Sequence, residues 1–118
     1  MGIVKRADAV SRDEVSAGRG TVRQVLIGPE EGPNFALRRF IMQPGGGMPR
    51  HTNTVEHEQY VLRGRARITI GDEVHEVGAD DVVYIPANEP HSYDVLGEEP
   101  FEFLCAVPNL PDTPRVLE

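Results

Sequence analysis

The chain holds a single cysteine, Cys105, so no disulfide can close within it, which fits a reducing compartment. No apolar run is long enough to span a bilayer, and the opening MGIVKRADAV lacks the apolar core of a secretion signal. The expected location is therefore the cytoplasm, away from membranes. Basic residues are scarce: 12 Lys and Arg against 19 Asp and Glu give a net charge of −7 and a pI near 5.0. A phosphate-binding surface needs clustered cations, and the pair Arg38-Arg39 is too short a cluster to supply one, so nucleic acid is excluded as a partner. Helical periodicity is absent over any long stretch, as are a Ser/His/Asp or Cys/His/Asn hydrolytic set, a phosphate-binding glycine loop and a glycosidase pair of carboxylates.

Short runs rich in β-branched and aromatic residues, punctuated by Gly, Pro, Asn and Asp, take the place of helices. They predict about eight strands in a single all-β domain spanning residues 1–118, with a barrel core over about 21–107. Residues 1–20 read as a polar surface arm and 108–118, with three prolines, as an irregular tail. Strands are expected at 21–27, 34–42, 56–62, 65–70, 81–85, 91–96 and 101–107, with 28–33 a loop. Gly71-Asp72 reads as a two-residue hairpin turn, which opposes Ile70 to Glu73, Thr69 to Val74, Ile68 to His75 and Arg67 to Glu76. The last pair joins opposite charges and would add about 0.2–1 kcal/mol.

The stretch PGGGMPRHTNTVEHEQYVLRG, residues 44–64, holds two of the four histidines. The three glycines predict a sharp turn ahead of His51, and alternation along an extended chain puts His51 with Asn53 on one face and His57, Gln59 and Val61 on another. Two imidazoles meeting across a turn would begin a divalent-metal site. Farther on, GADDVVYIPANEPHSYDV ends a strand at Pro86 and returns the chain at His91.

The order is a glycine turn, a histidine, a ligand position seven residues before the glycine of YVLRG, then D-x-x-x-x-P-x-x-x-x-H. It resembles the two motifs of the cupins over about residues 34–107. The resemblance implies a small antiparallel β-barrel of jelly-roll, double-stranded β-helix type with a metal inside. Cupins ordinarily supply H-x-H, a glutamate and a final histidine. Here Asn53 stands at the second histidine and His57 at the glutamate, while Glu56 and Glu58 point to the opposite face. The implied ligands are His51, His57 and His91, with Asn53 a weak fourth. RHTNTVEHEQYVLRG and EFLCAVP look similar to a subset of small cupins that binds manganese through four histidines and has shown oxygenase activity on alkene-bearing aromatics; Asn53 departs from that subset at one ligand.

Three neutral imidazoles suit Mn, Fe, Cu, Ni or Zn, with Mn or Fe favoured by the resemblance, and leave open positions for O2 or substrate. On the ligand-bearing faces Gln59, Val61, Tyr93, Phe103 and Cys105 are expected to line the substrate pocket. Gln59 would orient an imidazole, meet a substrate or bond the backbone. Arg38 would either face inward to hold a carboxylate or enolate, or sit at the surface or an interface. Cys105 would meet the metal or be a small core residue. His75, away from the motifs, is expected to be a half-buried structural histidine.

The function expected is a metal-dependent small-molecule oxidoreductase, a dioxygenase taking O2 and an apolar, aromatic or enolisable substrate. The rivals are a non-enzymatic ligand-binding or sensing cupin and a non-redox metal-dependent isomerase or lyase. Strands such as 101–107 are apolar on both faces, so a homodimer is expected to cover one of them.

Overall fold

The computed structural model describes residues 2–117; Met1 and Glu118, the extreme ends of the expected arm and tail, lie outside the described residues. One 3-10 turn, Ala7–Ala9, precedes ten strands: β1 (Asp13–Glu14), β2 (Arg19–Ile27), β3 (Phe35–Thr52), β4 (His57–Arg63), β5 (Arg65–Ile70), β6 (Glu73–Gly78), β7 (Val82–Ile85), β8 (His91–Leu96), β9 (Phe101–Pro108) and β10 (Arg115–Val116). All described pairings are antiparallel, in the order β6-β5-β8-β3-β9-β4-β7, with β2 beside β3, β1 beside β2 and β10 beside β3. The all-β barrel architecture is as the sequence predicts, the strands β2, β4, β5, β7, β8 and β9 matching the expected ones closely.

The glycine run is the main departure. Instead of ending a strand, it lies inside β3, which runs unbroken for 18 residues. Its first half pairs with β2 and β9, and its second half, from Gly47, pairs with β8. Gly45 (φ 79) and Gly47 (φ 153) let the strand bend and pass from one half of the curl to the other. A side chain at Gly47 would collide with the Tyr93 carbonyl oxygen, so β3 and β8 come together there only over a glycine. In consequence His51 and His57 do not share a hairpin: β9 lies between β3 and β4 in the sheet.

The β5–β6 register is the predicted one in all four pairs. The ion pair is different: Glu76 accepts from Arg65 at 2.6 Å, the diagonal neighbour, while Arg67 stays exposed. His75 is exposed rather than half-buried, because β6 is an edge strand whose outer side meets solvent.

The core is built on the concave side from Met42, Val61, Ala66, Ile68, Ile85, Phe101 and their neighbours, all buried. Val61 and Cys105, expected in the pocket, lie in this packed layer with no exposure. The termini are tied down. Gln24, buried, donates to the carbonyls of Ala7 (2.8 Å) and Val10 (2.9 Å), fastening the N-terminal arm. The tail is less irregular than expected: β10 pairs with His51 and Thr52 of β3, and Asp112 accepts from Thr54 N (2.8 Å) and Oγ1 (3.2 Å).

Candidate metal centre

A cavity of about 340 Å³ opens on the concave side of the curl, roomy enough for a small organic molecule. His51, Asn53, His57 and His91 reach it, with Gln59, Tyr93, Phe103 and Arg38 on its walls. Register explains the meeting. His51 on β3 stands directly opposite His91 on β8, which brings their ring centroids to 4.1 Å. His57 arrives from β4, its ring 5.7 Å from that of His91.

The three imidazoles are oriented differently. His51 donates Nδ1–H to the Pro49 carbonyl (2.7 Å) and His91 to the Glu89 carbonyl (2.9 Å), each a residue two positions back. That bond fixes the tautomer and leaves the Nε2 lone pair free, the arrangement a metal-bound histidine needs. His57 has no carbonyl partner. Its Nδ1 stands 3.1 Å from Cys105 Sγ and 3.5 Å from Arg38 Nη2. The sulfur also receives Arg38 Nη2 at 3.6 Å and Gln59 Nε2 at 3.8 Å, so it acts as the acceptor of the group. His57 Nδ1 thus lies between a guanidinium and a sulfur with no carbonyl to fix its tautomer, and its Nε2 has no hydrogen-bond partner.

Burial holds two of these rings, His57 and His91, neutral. It lowers the pKa of His57 to about 3, with the Arg38 guanidinium adding to the effect, and that of His91 to about 4, against the pull of its carbonyl partner. Burial also pushes the Cys105 thiol up, against the Arg38 charge, and raises Tyr93, whose hydroxyl accepts from Gln59 Nε2 at 2.7 Å. Neither an imidazole nor a backbone group, as foreseen for Gln59, is its partner here: its amide holds the hydroxyl of Tyr93, a residue of the wall.

Whether a divalent ion suits this set is read from unpartnered atoms. His57 Nε2, His91 Nε2 and Asn53 Oδ1 are all buried without a hydrogen-bond partner. Asn53 is turned that way by Asp112, which accepts its Nδ2–H at 3.0 Å and leaves the amide oxygen bare. Orphaned buried acceptors are costly, on the order of 1–3 kcal/mol each, and a cation would relieve all three. Among the described residues, however, no three His, Cys, Asp or Glu side chains already form a closed ligand set. The donor chemistry fits a transition metal, with the ligands close but not drawn in.

The walls divide by chemistry. Phe40, Phe103 and Tyr93 form a continuous aromatic stack, with centroids 5.2 and 5.4 Å apart and planes within 13° and 11°. Phe40 and Phe103 are cross-strand partners, so the stack follows from register. The sequence reading missed Arg23, Asp112 and Arg115 on the cavity. Arg23 had a signal, an arginine on the same face as Thr21 and Val25 in a strand of β-branched residues. The tail residues had none, because only β10 pairing brings them back.

The cupin domain profile matches residues 38–107. The chain belongs to the cupin family. Among solved structures, this cupin is similar to the polyketide cyclase RemF from Streptomyces resistomycificus: TM-score 0.90, 28% identity, covering 100% of this chain and 87% of that one. Among curated proteins it is 32% identical over 98 residues to 1-methylthio-D-xylulose 5-phosphate methylsulfurylase of Rhodospirillum rubrum, covering 83% of this chain. It is 35% identical over 89 residues to the oxalate decarboxylase of Bacillus subtilis, covering 71% of this chain. The matches span 62% of the methylsulfurylase and 22% of the decarboxylase. No helix among the described residues is long and apolar enough to cross a membrane.

Proposed function

We propose that this cupin is a metal-dependent oxidoreductase of small molecules, a dioxygenase, with one divalent transition metal, Mn or Fe before Cu, Ni or Zn, on His51, His57 and His91 and the Asn53 amide oxygen beside them. The observation that carries the reading is the set of buried, unpartnered Nε2 and Oδ1 atoms at the head of an aromatic cavity. A redox metal held there would supply O2 activation next to a bound substrate. The protein's own part is positional. Pro49 and Glu89 carbonyls hold two imidazoles in the metal-binding tautomer, and Asp112 holds the Asn53 oxygen inward. The Phe40–Phe103–Tyr93 stack offers a flat apolar wall that orients an aromatic substrate and keeps water from it.

Elemental analysis of the native protein beside the His51→Ala, His57→Ala and His91→Ala variants tests the site, with oxygen uptake recorded after loading with Fe(II) or Mn(II). About one metal per chain, lost in each variant, together with oxygen consumption on an aromatic or diketone substrate is the expected result. Metal without oxygen consumption would move the assignment to non-redox isomerase or lyase chemistry, which the polyketide cyclase and the decarboxylase among the relatives favour, or to a binding or sensing cupin.

Two further parts of the proposal rest on the outer face and on composition. Tyr60, Leu62, Val82 and Tyr84 leave an exposed apolar patch on β4 and β7, which a homodimer partner would cover. A cytoplasmic location accords with the lone, buried Cys105.

A further inference from the structure

We infer that Arg23 and Arg38 form a carboxylate-binding subsite in the same cavity, and that the substrate is an apolar or aromatic acid held head-first by two guanidinium groups; the inference rests on reading the cavity as a substrate site. Arg23 on β2 stands opposite Phe40, and Arg38 on β3 opposite Val25, so the two arginines sit diagonally on one face with the Phe40 ring beside them. The Arg38 guanidinium carbon lies 5.2 Å from the centre of that ring. Both arginines line the cavity, and each keeps a buried Nε with no partner.

Charge makes the pair unusual for this chain. Acidic residues outnumber basic ones by 19 to 12, yet neither arginine has a carboxylate partner among the described residues. The one carboxylate on the cavity, Asp112, is spent on Asn53 and Thr54. The contacts Arg38 does make, 3.5 Å to His57 and 3.6 Å to Cys105, are long and go to neutral groups. Two half-buried guanidiniums beside the neutral imidazoles of His57 and His91 leave a positive field that an anion would complete. A planar fork matches a planar carboxylate by paired N–H···O bonds. The adjoining stack of Phe40, Phe103 and Tyr93 takes an apolar body rather than a second charge.

The test is calorimetric titration of the metal-free protein, under exclusion of O2, with benzoate and with its neutral isostere benzamide. The native protein should bind benzoate at least tenfold more tightly than benzamide. Arg23→Gln and Arg38→Gln should each lose tenfold or more for benzoate with benzamide unmoved, while Arg67→Gln, on the exposed face of β5, should change neither. Circular dichroism melts establish that each variant is folded, and Arg38→Lys, which keeps the charge but not the fork, should recover only part of the affinity. Failure of benzoate to bind, equal affinity for the two probes, or benzoate affinity unmoved in folded Arg23→Gln and Arg38→Gln would overturn the subsite. Neither metal nor oxygen enters the titration, so an absent oxygenase activity leaves this result standing, and a failed titration leaves the metal and oxygen measurements to stand by themselves.

Discussion

Arg38 and Arg39 are consecutive residues of one strand and live in opposite circumstances. Arg39 points to the convex side, where the carboxylate of Glu102, itself 6% exposed, receives both it and Arg63 (3.3 Å). Arg38 points to the concave side and finds no carboxylate among the described residues. The same division runs through the molecule. On the convex side Arg19, Arg39, Arg63 and Arg65 are paired with acids, whereas the concave side holds most of the unpartnered buried atoms, the Nε of Arg23 and Arg38, the Nε2 of His57 and His91 and the Oδ1 of Asn53; Arg39 Nε and Gln24 Oε1 are the exceptions outside it. The charges of one side are largely paired within the chain; those of the cavity await a ligand. In general, unsatisfied buried groups that a fold tolerates mark where something else binds.

The contrast can be broken experimentally. Glu102→Ala should cost the most, about 2–4 kcal/mol, because it strands two arginines against a buried strand. Urea denaturation reads it, and an unmoved midpoint would mean that the convex pairs contribute nothing. Asp112→Ala should next release the Asn53 amide and weaken metal binding about tenfold, measured by competition with a chelator, while Asn53→His should tighten it. Unchanged affinity in both would remove residue 53 from the site.

The paired arginines sharpen the point. Arg39→Met should lose about 1 kcal/mol, whereas Arg38→Met should be neutral or stabilising by up to about 1 kcal/mol, since it removes a half-buried cation with no acidic partner among the described residues. Equal losses in urea would erase the difference between the two faces.

Acid titration reads the buried imidazoles of the cavity. The unfolded chain binds protons on its histidines near the ordinary 6.5, while folded His57 and His91 refuse them until about 3 and about 4. Between those values the unfolded state holds more protons, so the metal-free protein should gain stability as pH rises through the window and reach its full value above about 6.5. A His57→Gln, His91→Gln double variant should show a flatter profile in thermal melts from pH 4 to 7; an identical slope would place the dependence elsewhere. Least of all should change in His75→Ala, exposed on edge strand β6, whose metal content should match the native protein.

Much of this was legible in sequence because it depends on local rules. Alternation told which of Phe103 and Leu104 faces inward, the Gly71-Asp72 turn set the β5–β6 register, and the resemblance to the cupin motifs implied the common destination of His51, His57 and His91. Where the reading failed, the missing fact was a neighbour distant in the chain. The glycine run looked like a turn because glycines permit one; the strand continues because β2 and β8 pass close enough to demand residues without side chains. Arg67 lost its acid to Arg65, whose long side chain reaches Glu76 across the diagonal of the ladder.

The chain by itself determined an all-β fold, since period-two alternation and turn chemistry act over a few residues, and its two motifs resembled the cupins closely enough to name His51, Asn53, His57 and His91 of the cavity. Only the tertiary structure decided how those residues behave there. The orientation of Asn53 by Asp112, 59 positions away, the sulfur contact of His57 and the unpaired state of Arg23 and Arg38 all depend on which strands lie side by side. Hydrogen-bond partners and desolvation are properties of three-dimensional neighbours, and a sequence fixes those only through the fold.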